Sequence, residues 1–160
     1  MIDEGRLQQE IIDHEGGVVL KPYKDHLGYW TIGVGHLIKD SEKNEFRNGI
    51  TYETGLKLFL IDYSIAKRDM QTFLKPCGDM PDIVQEVCLE MAFQIGLPKL
   101  QKFVKFKQAL TDQNWSEAIL QMEQSRWYNQ TPHRARSLMD KMKECDRDWE
   151  TNFCNLGKPI

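Results

Sequence analysis

Hydrophobic positions change period twice along this chain. Behind Asp3, a residue suited to capping, Leu7, Ile11 and Ile12 recur at helical spacing until the run stops at Gly16-Gly17. From Val18 to Tyr23 and again from Tyr29 to Val34, β-branched and aromatic residues dominate, and Asp25-His26-Leu27-Gly28 between them reads as a turn. The pattern predicts two strands of a small hairpin sheet. Lys39 to Asn48 has little apolar content and is expected to be a mobile loop or a short helical turn. Helical spacing returns at Leu56, Phe59, Leu60, Tyr63, Ala66, Met70 and Phe73, predicting one helix capped by Thr51 and stopped before Pro76. Such a helix would run roughly 33 Å at about 1.5 Å per residue, too long for the small sheet to bury and long enough to join two lobes.

Beyond Pro76 the signals are helical throughout. Asp79 and Pro81 open a run with Ile83, Val84, Val87, Cys88, Met91, Ala92 and Ile95 on one broad apolar face, ended by Gly96 and Pro98. Leu100, Phe103, Val104, Ala109 and Leu110 form the next helix, which carries Lys99, Lys102, Lys105 and Lys107 with no acid among them, a cluster that could meet an anionic polymer but more commonly is ordinary solvation. Asn114 with Glu117 has the form of a capping box before Trp115, Ala118, Ile119 and Met122, and Thr131-Pro132 starts a last helix through Ala135, Leu138, Met139 and Met142. The segment Ser125 to Pro132 between them is richer in hydrogen-bonding and aromatic groups than a connector needs.

With 160 residues the chain can bury a real core without staples. Net charge is −3, and residues 1–76 carry ten Lys/Arg against twelve Asp/Glu while the remainder carries eleven against twelve. Neither half is a basic module, so no nucleic-acid partner and no stable membrane association is expected. Cys77, Cys88, Cys145 and Cys154 show no metal-binding spacing and are expected to be buried free thiols in a reducing cytosol. No secretory leader and no membrane-spanning run is evident.

The candidate chemistry lies in two acids. Glu15 falls at the end of the first helix and Asp25 in the hairpin turn, so a strand pair folding back over the helix end can hold both across a groove. Glycoside hydrolysis asks that of its acid and base. Thr31 offers a third polar group nearby. The same residues also admit plainer roles: Glu15 as an exposed helix end, Asp25 as a turn former, His36 as a structural ion-pair partner.

Glu15 followed by Leu20, Tyr23, Asp25, Gly28 and Thr31-Ile-Gly-Val-Gly-His36, then Phe93-Gln-Ile-Gly96, then Ser125-Arg-Trp-Tyr-Asn-Gln-Thr-Pro132 and Arg134-Ala135, closely resembles the T-even bacteriophage lysozymes. The likeness runs in the same order over nearly the whole chain. It implies an α+β, lysozyme-like fold as a single domain over residues 1–160: an N-terminal lobe over about 13–50 with the hairpin sheet, a connecting helix over about 51–74, and an all-helical C-terminal lobe over about 75–160 with the helix of residues 3–14 packed on it.

The resemblance further implies an endolysin that cleaves the β-1,4 bond between N-acetylmuramic acid and N-acetylglucosamine in bacterial peptidoglycan. Glu15 matches the family's general acid, Asp25 the carboxylate that activates water, and Thr31 a residue that places that water. The family's inverting outcome implies carboxyl groups roughly 6.5–9.5 Å apart, wide enough for a water. Leu37, Phe93, Gln94, Phe106 and Gln121 fall where the family contacts saccharide, while His36, Thr131 and Arg134 match supporting positions, Arg134 being the partner of the catalytic glutamate. No metal or organic cofactor is implied. The protein is expected to be a monomer made in the host cytoplasm, acting in the periplasm after passage through holes made by a phage holin.

This chain departs from the family in two ways. One residue more than usual separates Glu15 from Asp25, with the surplus at Gly16-Gly17, and the chain is mildly acidic where well-known members are basic. An inactive peptidoglycan-binding module and a lysozyme carried in the phage tail are the competing expectations. The retained Glu15, Asp25 and Thr31 speak against the first, and the lack of any appended domain speaks against the second.

Overall fold

The computed structural model describes residues 1–156, with side chains through Cys145 and at Arg147; the Cys154 thiol lies outside the described residues. Eight α-helices and a three-stranded antiparallel sheet make up these residues. They cluster as two compact units, Ile2–Arg68 and the residues from Asp69 onward with Met1, so the division falls inside the long helix.

In the first unit, α1 spans Glu4–His14, and the Asp3 side chain accepts from Arg6 N at 3.0 Å as its cap. Its end is made by two glycines in succession, Gly16 and Gly17, both at φ +88°, with Gly17 N donating to the Ile12 carbonyl at 2.9 Å. Side-chain-bearing residues rarely adopt that region, so the helix cap calls for glycine at both positions. α1 is tied to the long helix by Glu4, which accepts from the Tyr63 hydroxyl and the Lys67 ammonium.

The sheet runs in the order β1 (Val19–Lys24), β2 (Trp30–Gly33) and β3 (His36–Leu37). The two-residue third strand carried too little sequence signal to stand out. Register pairs Tyr23 with Thr31 and Lys24 with Trp30, but Val19 with Gly33, so β1 bulges between Val19 and Tyr23. Pro22 sits in that irregular stretch, where its missing N–H is tolerated, and the Leu20 carbonyl turns aside to accept from Ile50 N at 2.9 Å. The Lys39–Asn48 segment resolves into a 3₁₀ turn, Asp40–Glu42, and α2, Lys43–Phe46, which buries Phe46.

α3 spans Tyr52–Leu74, with Thr51 Oγ1 accepting from Thr54 N at 3.1 Å. In the first unit Leu7, Ile11, Ile32, Val34, Phe46, Phe59, Tyr63 and Ala66 are buried. Phe59 and Tyr63 are in tilted contact at 5.9 Å between ring centroids.

The second unit is helical throughout. α4, Asp82–Leu100, is broken at Gly96 (φ 76°, ψ 162°) and resumes through Pro98. Leu100, expected in the following helix, therefore ends α4, and α5 begins only at Val104, because Phe103 (ψ 59°) leaves the helical region. Pro81 is the residue at the α4 N-cap and no side chain caps it, so Asp79 does not play that part. α6 spans Trp115–Glu123, with Asn114 accepting from Glu117 N at 3.1 Å; the Glu117 carboxylate accepts from Gln121, and the expected reciprocal box is half made. The Ser125–Pro132 segment contains α7, Arg126–Gln130, capped by Ser125, before α8 runs Pro132–Leu156. Cys77, Cys88 and Cys145 are buried, the first two as free thiols.

Candidate active site

Each first-unit site residue is fixed by the backbone that carries it. Glu15 closes α1, and its carboxyl lies against Gly35 in the turn between β2 and β3. A Cβ built on Gly35 would sit 2.5 Å from Glu15 Oε2 and 2.9 Å from its Cδ. Gly35 has φ +64°, so both its conformation and its neighbour require a glycine.

Asp25 opens the hairpin turn. Its Oδ1 accepts from Leu27 N and Tyr29 N, each at 2.9 Å, while its own N–H donates to the Tyr29 carbonyl at 2.9 Å. The turn-forming role is real, yet it occupies one carboxylate oxygen; Oδ2 has no hydrogen-bond donor among the described residues.

Thr31, 2% exposed in β2, donates its hydroxyl proton to the Tyr29 carbonyl at 3.0 Å. Its oxygen is thereby left as an acceptor. Since Tyr29 bonds both Asp25 and Thr31 through its main chain, the spacing of those two groups is set by one peptide segment.

Strand alternation places these groups. Thr31 pairs with Tyr23 on one side and Leu37 on the other, so the three share one sheet face, and Leu37 is 54% exposed on it. Ile32 and His36 pair on the opposite face. There His36 is buried, with Nδ1 2.7 Å from Asp62 of α3 and Nε2 3.0 Å from Glu42. The Asp62 hydrogen bond and the Glu42 one raise its pKa against the opposing effect of burial. Its structural ion-pair role is the one observed.

Tyr23 lies within electrostatic reach of both acids. Its phenol is half-buried and holds its proton above the ordinary tyrosine value, first through burial and then through the negative charges of Glu15 and Asp25. Both carboxylates therefore act on one side chain. In the sequence neither Tyr23 nor Gly35 stands out as a site residue. The signals were Tyr23 two positions before Asp25, hence on the same strand face, and the alternating glycines of Thr31-Ile-Gly-Val-Gly-His36.

In the second unit Gln94 is oriented by its neighbours. The Trp127 indole N–H can only donate, and does so to Gln94 Oε1 at 2.7 Å, which leaves Gln94 Nε2 to donate to Thr131 Oγ1 at 3.2 Å. Thr131 in turn donates to the Trp127 carbonyl at 3.1 Å. Phe93 and Gln121 are half-buried. Phe106 is not available to a saccharide: it is 1% exposed, stacked on Phe73 and edge-on to Phe103, because its position on α5 faces the interior. Arg134 is buried on α8 with Nη2 3.7 Å from Glu90, and Lys141 lies 3.0 Å from Glu86. Glu86 and Glu90, one turn apart on the buried face of α4, form a charged cluster that the apolar periodicity concealed.

Among the described residues no group of three or more His, Cys, Asp or Glu is placed to hold a metal ion, and no helix is long and apolar enough to cross a membrane.

The phage lysozyme family model matches residues 13–144. Two proteins of Dictyostelium discoideum, described as probable T4-type lysozymes 1 and 2, are 26% and 28% identical to this chain over 153 residues, each alignment covering 82% of this chain and 90% of the relative. The pre-baseplate central spike protein Gp5 of Enterobacteria phage T4 is 30% identical over 147 residues, covering 79% of this chain and 26% of that protein.

Proposed function

This chain belongs to the phage lysozyme family and is a glycoside hydrolase of lysozyme type, and from that premise we propose that it is an endolysin hydrolysing the β-1,4 bond between N-acetylmuramic acid and N-acetylglucosamine of peptidoglycan, with Glu15 as general acid and Asp25 as general base. Glu15 gives its proton to the glycosidic oxygen as that bond breaks. Asp25 takes a proton from the water whose oxygen bonds to the anomeric carbon from the opposite side, so configuration inverts and solvent later returns both acids to their starting states.

The observation that carries this reading is the geometry of the hairpin, in which the Tyr29 main chain holds Asp25 and Thr31 together while the Glu15 carboxyl lies against Gly35 in the next turn. Asp25 has Oδ1 pinned by two amides, which leaves Oδ2 for the water, and Thr31 can accept from that same water because its own proton goes to Tyr29. Leu37, Phe93, Gln94 and Gln121 are proposed to contact saccharide, with His36, Thr131 and Arg134 in support. Release from the host cytoplasm to the wall is assigned to a phage holin.

Clearing of chloroform-permeabilised Gram-negative cells tests the assignment: Glu15→Gln is expected to abolish clearing while keeping the fold. Substantial clearing by that variant would remove Glu15 as proton donor. Mass spectrometry of the products is expected to find reducing ends; anhydromuramic ends would replace hydrolysis with transglycosylation. The likeness to the spike protein favours a second setting for the same chemistry, in the virion. Finding the protein in purified virions would establish that setting over the free endolysin.

A further inference from the structure

Tyr23 is placed by the sheet, and no described residue claims its hydroxyl. It faces Thr31 directly across the β1–β2 pair. The ladder continues through Asp25, whose N–H donates to the Tyr29 carbonyl, so alternation also puts Asp25 on the Tyr23 face and Lys24 on the other. The ammonium of Lys24 lying 5.4 Å over the Trp30 ring marks that other face. Tyr23, Asp25 and Thr31 therefore look the same way.

The phenol is half-buried, and among the described residues its hydroxyl has no hydrogen-bond partner. Glu15 and Asp25 are near enough to hold its proton electrostatically, but neither accepts it in a hydrogen bond. A donor kept protonated on the same face as Asp25, which has an unclaimed oxygen, and Thr31, which has an acceptor to spare, suits a small polar molecule standing among the three.

We infer that Tyr23 is a positioning residue for hydrolysis, its phenol donating a hydrogen bond to the water that attacks the anomeric carbon. The inference rests on the roles proposed above for Glu15 and Asp25. It completes the coordination of that water. One proton goes to Asp25 Oδ2 and the other to Thr31 Oγ1, one lone pair accepts from Tyr23, and the remaining lone pair is free to form the bond to carbon. Without the phenol the water keeps its base but loses one of three directional restraints, so the loss falls on the rate of the chemical step and not on saccharide binding.

Tyr23→Phe removes the hydroxyl alone. It is expected to lower kcat by about tenfold to a hundredfold, the range for one hydrogen bond to a polarised partner, with KM nearly unchanged. An independent readout replaces Tyr23 by tyrosines of increasing ring fluorination, which acidify the phenol without removing it. An ionised phenol cannot donate, so the alkaline limb of kcat is expected to move to lower pH as fluorination rises. These variants also carry the test if Tyr23→Phe folds poorly. A Tyr23→Phe enzyme within about twofold of the parent in kcat, a loss confined to KM, or an alkaline limb indifferent to fluorination would each overturn the inference. Glu15→Gln and Asp25→Asn measured in parallel separate the two levels. Their inactivity beside an unaffected Tyr23→Phe refutes the role of Tyr23 alone, whereas activity in either acid variant refutes the underlying assignment.

Discussion

Gly35→Ala should damage catalysis far more than it damages the fold. The new Cβ would lie 2.5 Å from Glu15 Oε2, while ordinary contact begins near 3.4 Å, so the carboxyl must withdraw by about 0.9 Å. Glu15 can do so cheaply, because the atom in the way is the far end of a flexible side chain. Stability then suffers mainly from placing a non-glycine residue at φ +64°, about 1–2 kcal/mol, or roughly 2–8 °C in Tm for a chain of this size. A displacement near 1 Å of a catalytic group can cost about 10²-fold in rate. Gly33→Ala supplies the control. Gly33 has nearly the same φ, +65°, but its added Cβ would meet only Gly55 and Ile50 at 3.8 Å. Both variants should melt at similar temperatures, and only Gly35→Ala should lose kcat by about 10²-fold in a turbidity assay on permeabilised cells. Equal activity in the two, whether retained or lost, would refute the claim that Gly35 is needed to seat Glu15.

The turn-forming role of Asp25 and its proposed role as general base are separable. Asp25→Asn keeps an oxygen for the Leu27 and Tyr29 amides and should melt near the parent while losing nearly all activity, whereas Asp25→Ala should also lose about 1–2 kcal/mol in thermal or denaturant unfolding. Comparable unfolding for the two would deny Asp25 its part in the turn. His36, whose folded pKa is raised chiefly by its hydrogen bond to Asp62, contributes stability that is fully present below its ordinary value of 6.5 and is lost as pH rises through the raised folded value. Melting the parent and His36→Gln side by side from about pH 5.5 to about 9 should show the parent's advantage shrinking with pH; an advantage that grows would reverse the sign of the ion pair.

Much of this architecture is written in local patterns. α1 and α3 follow from helical spacing with caps at Asp3 and Thr51, and the hairpin turn follows from Asp25 to Gly28, because these signals involve neighbours in sequence. What escaped depends on distant contacts or on backbone detail. β3 is two residues long, defined only by its pairing to β2. The bulge in β1 depends on the Leu20 carbonyl leaving the ladder for Ile50, a partner thirty positions away. Gly96 and Pro98 together mark a helix end in sequence, and Gly96 does make a break, but α4 resumes through Pro98 to Leu100.

The site divides in the same way. Glu15, Asp25 and Thr31 come from one short stretch and its resemblance to a family, while Phe106 was assigned by register alone and lies in the core, since register cannot say which way a helix face turns. Glu86 and Glu90 carry no mark of burial in the apolar pattern of their helix; in the structure Lys141 and Arg134 on α8 oppose them.

The pairing of Glu15 and Asp25 as acid and base across an attacking water is tested most directly by the configuration of the first product. Proton NMR of a short peptidoglycan fragment during the first moments of cleavage should show the α-anomer of the new reducing end before mutarotation, as expected when water attacks opposite the departing oxygen. A first product in the β configuration would contradict that pairing and place a carboxylate on the anomeric carbon instead.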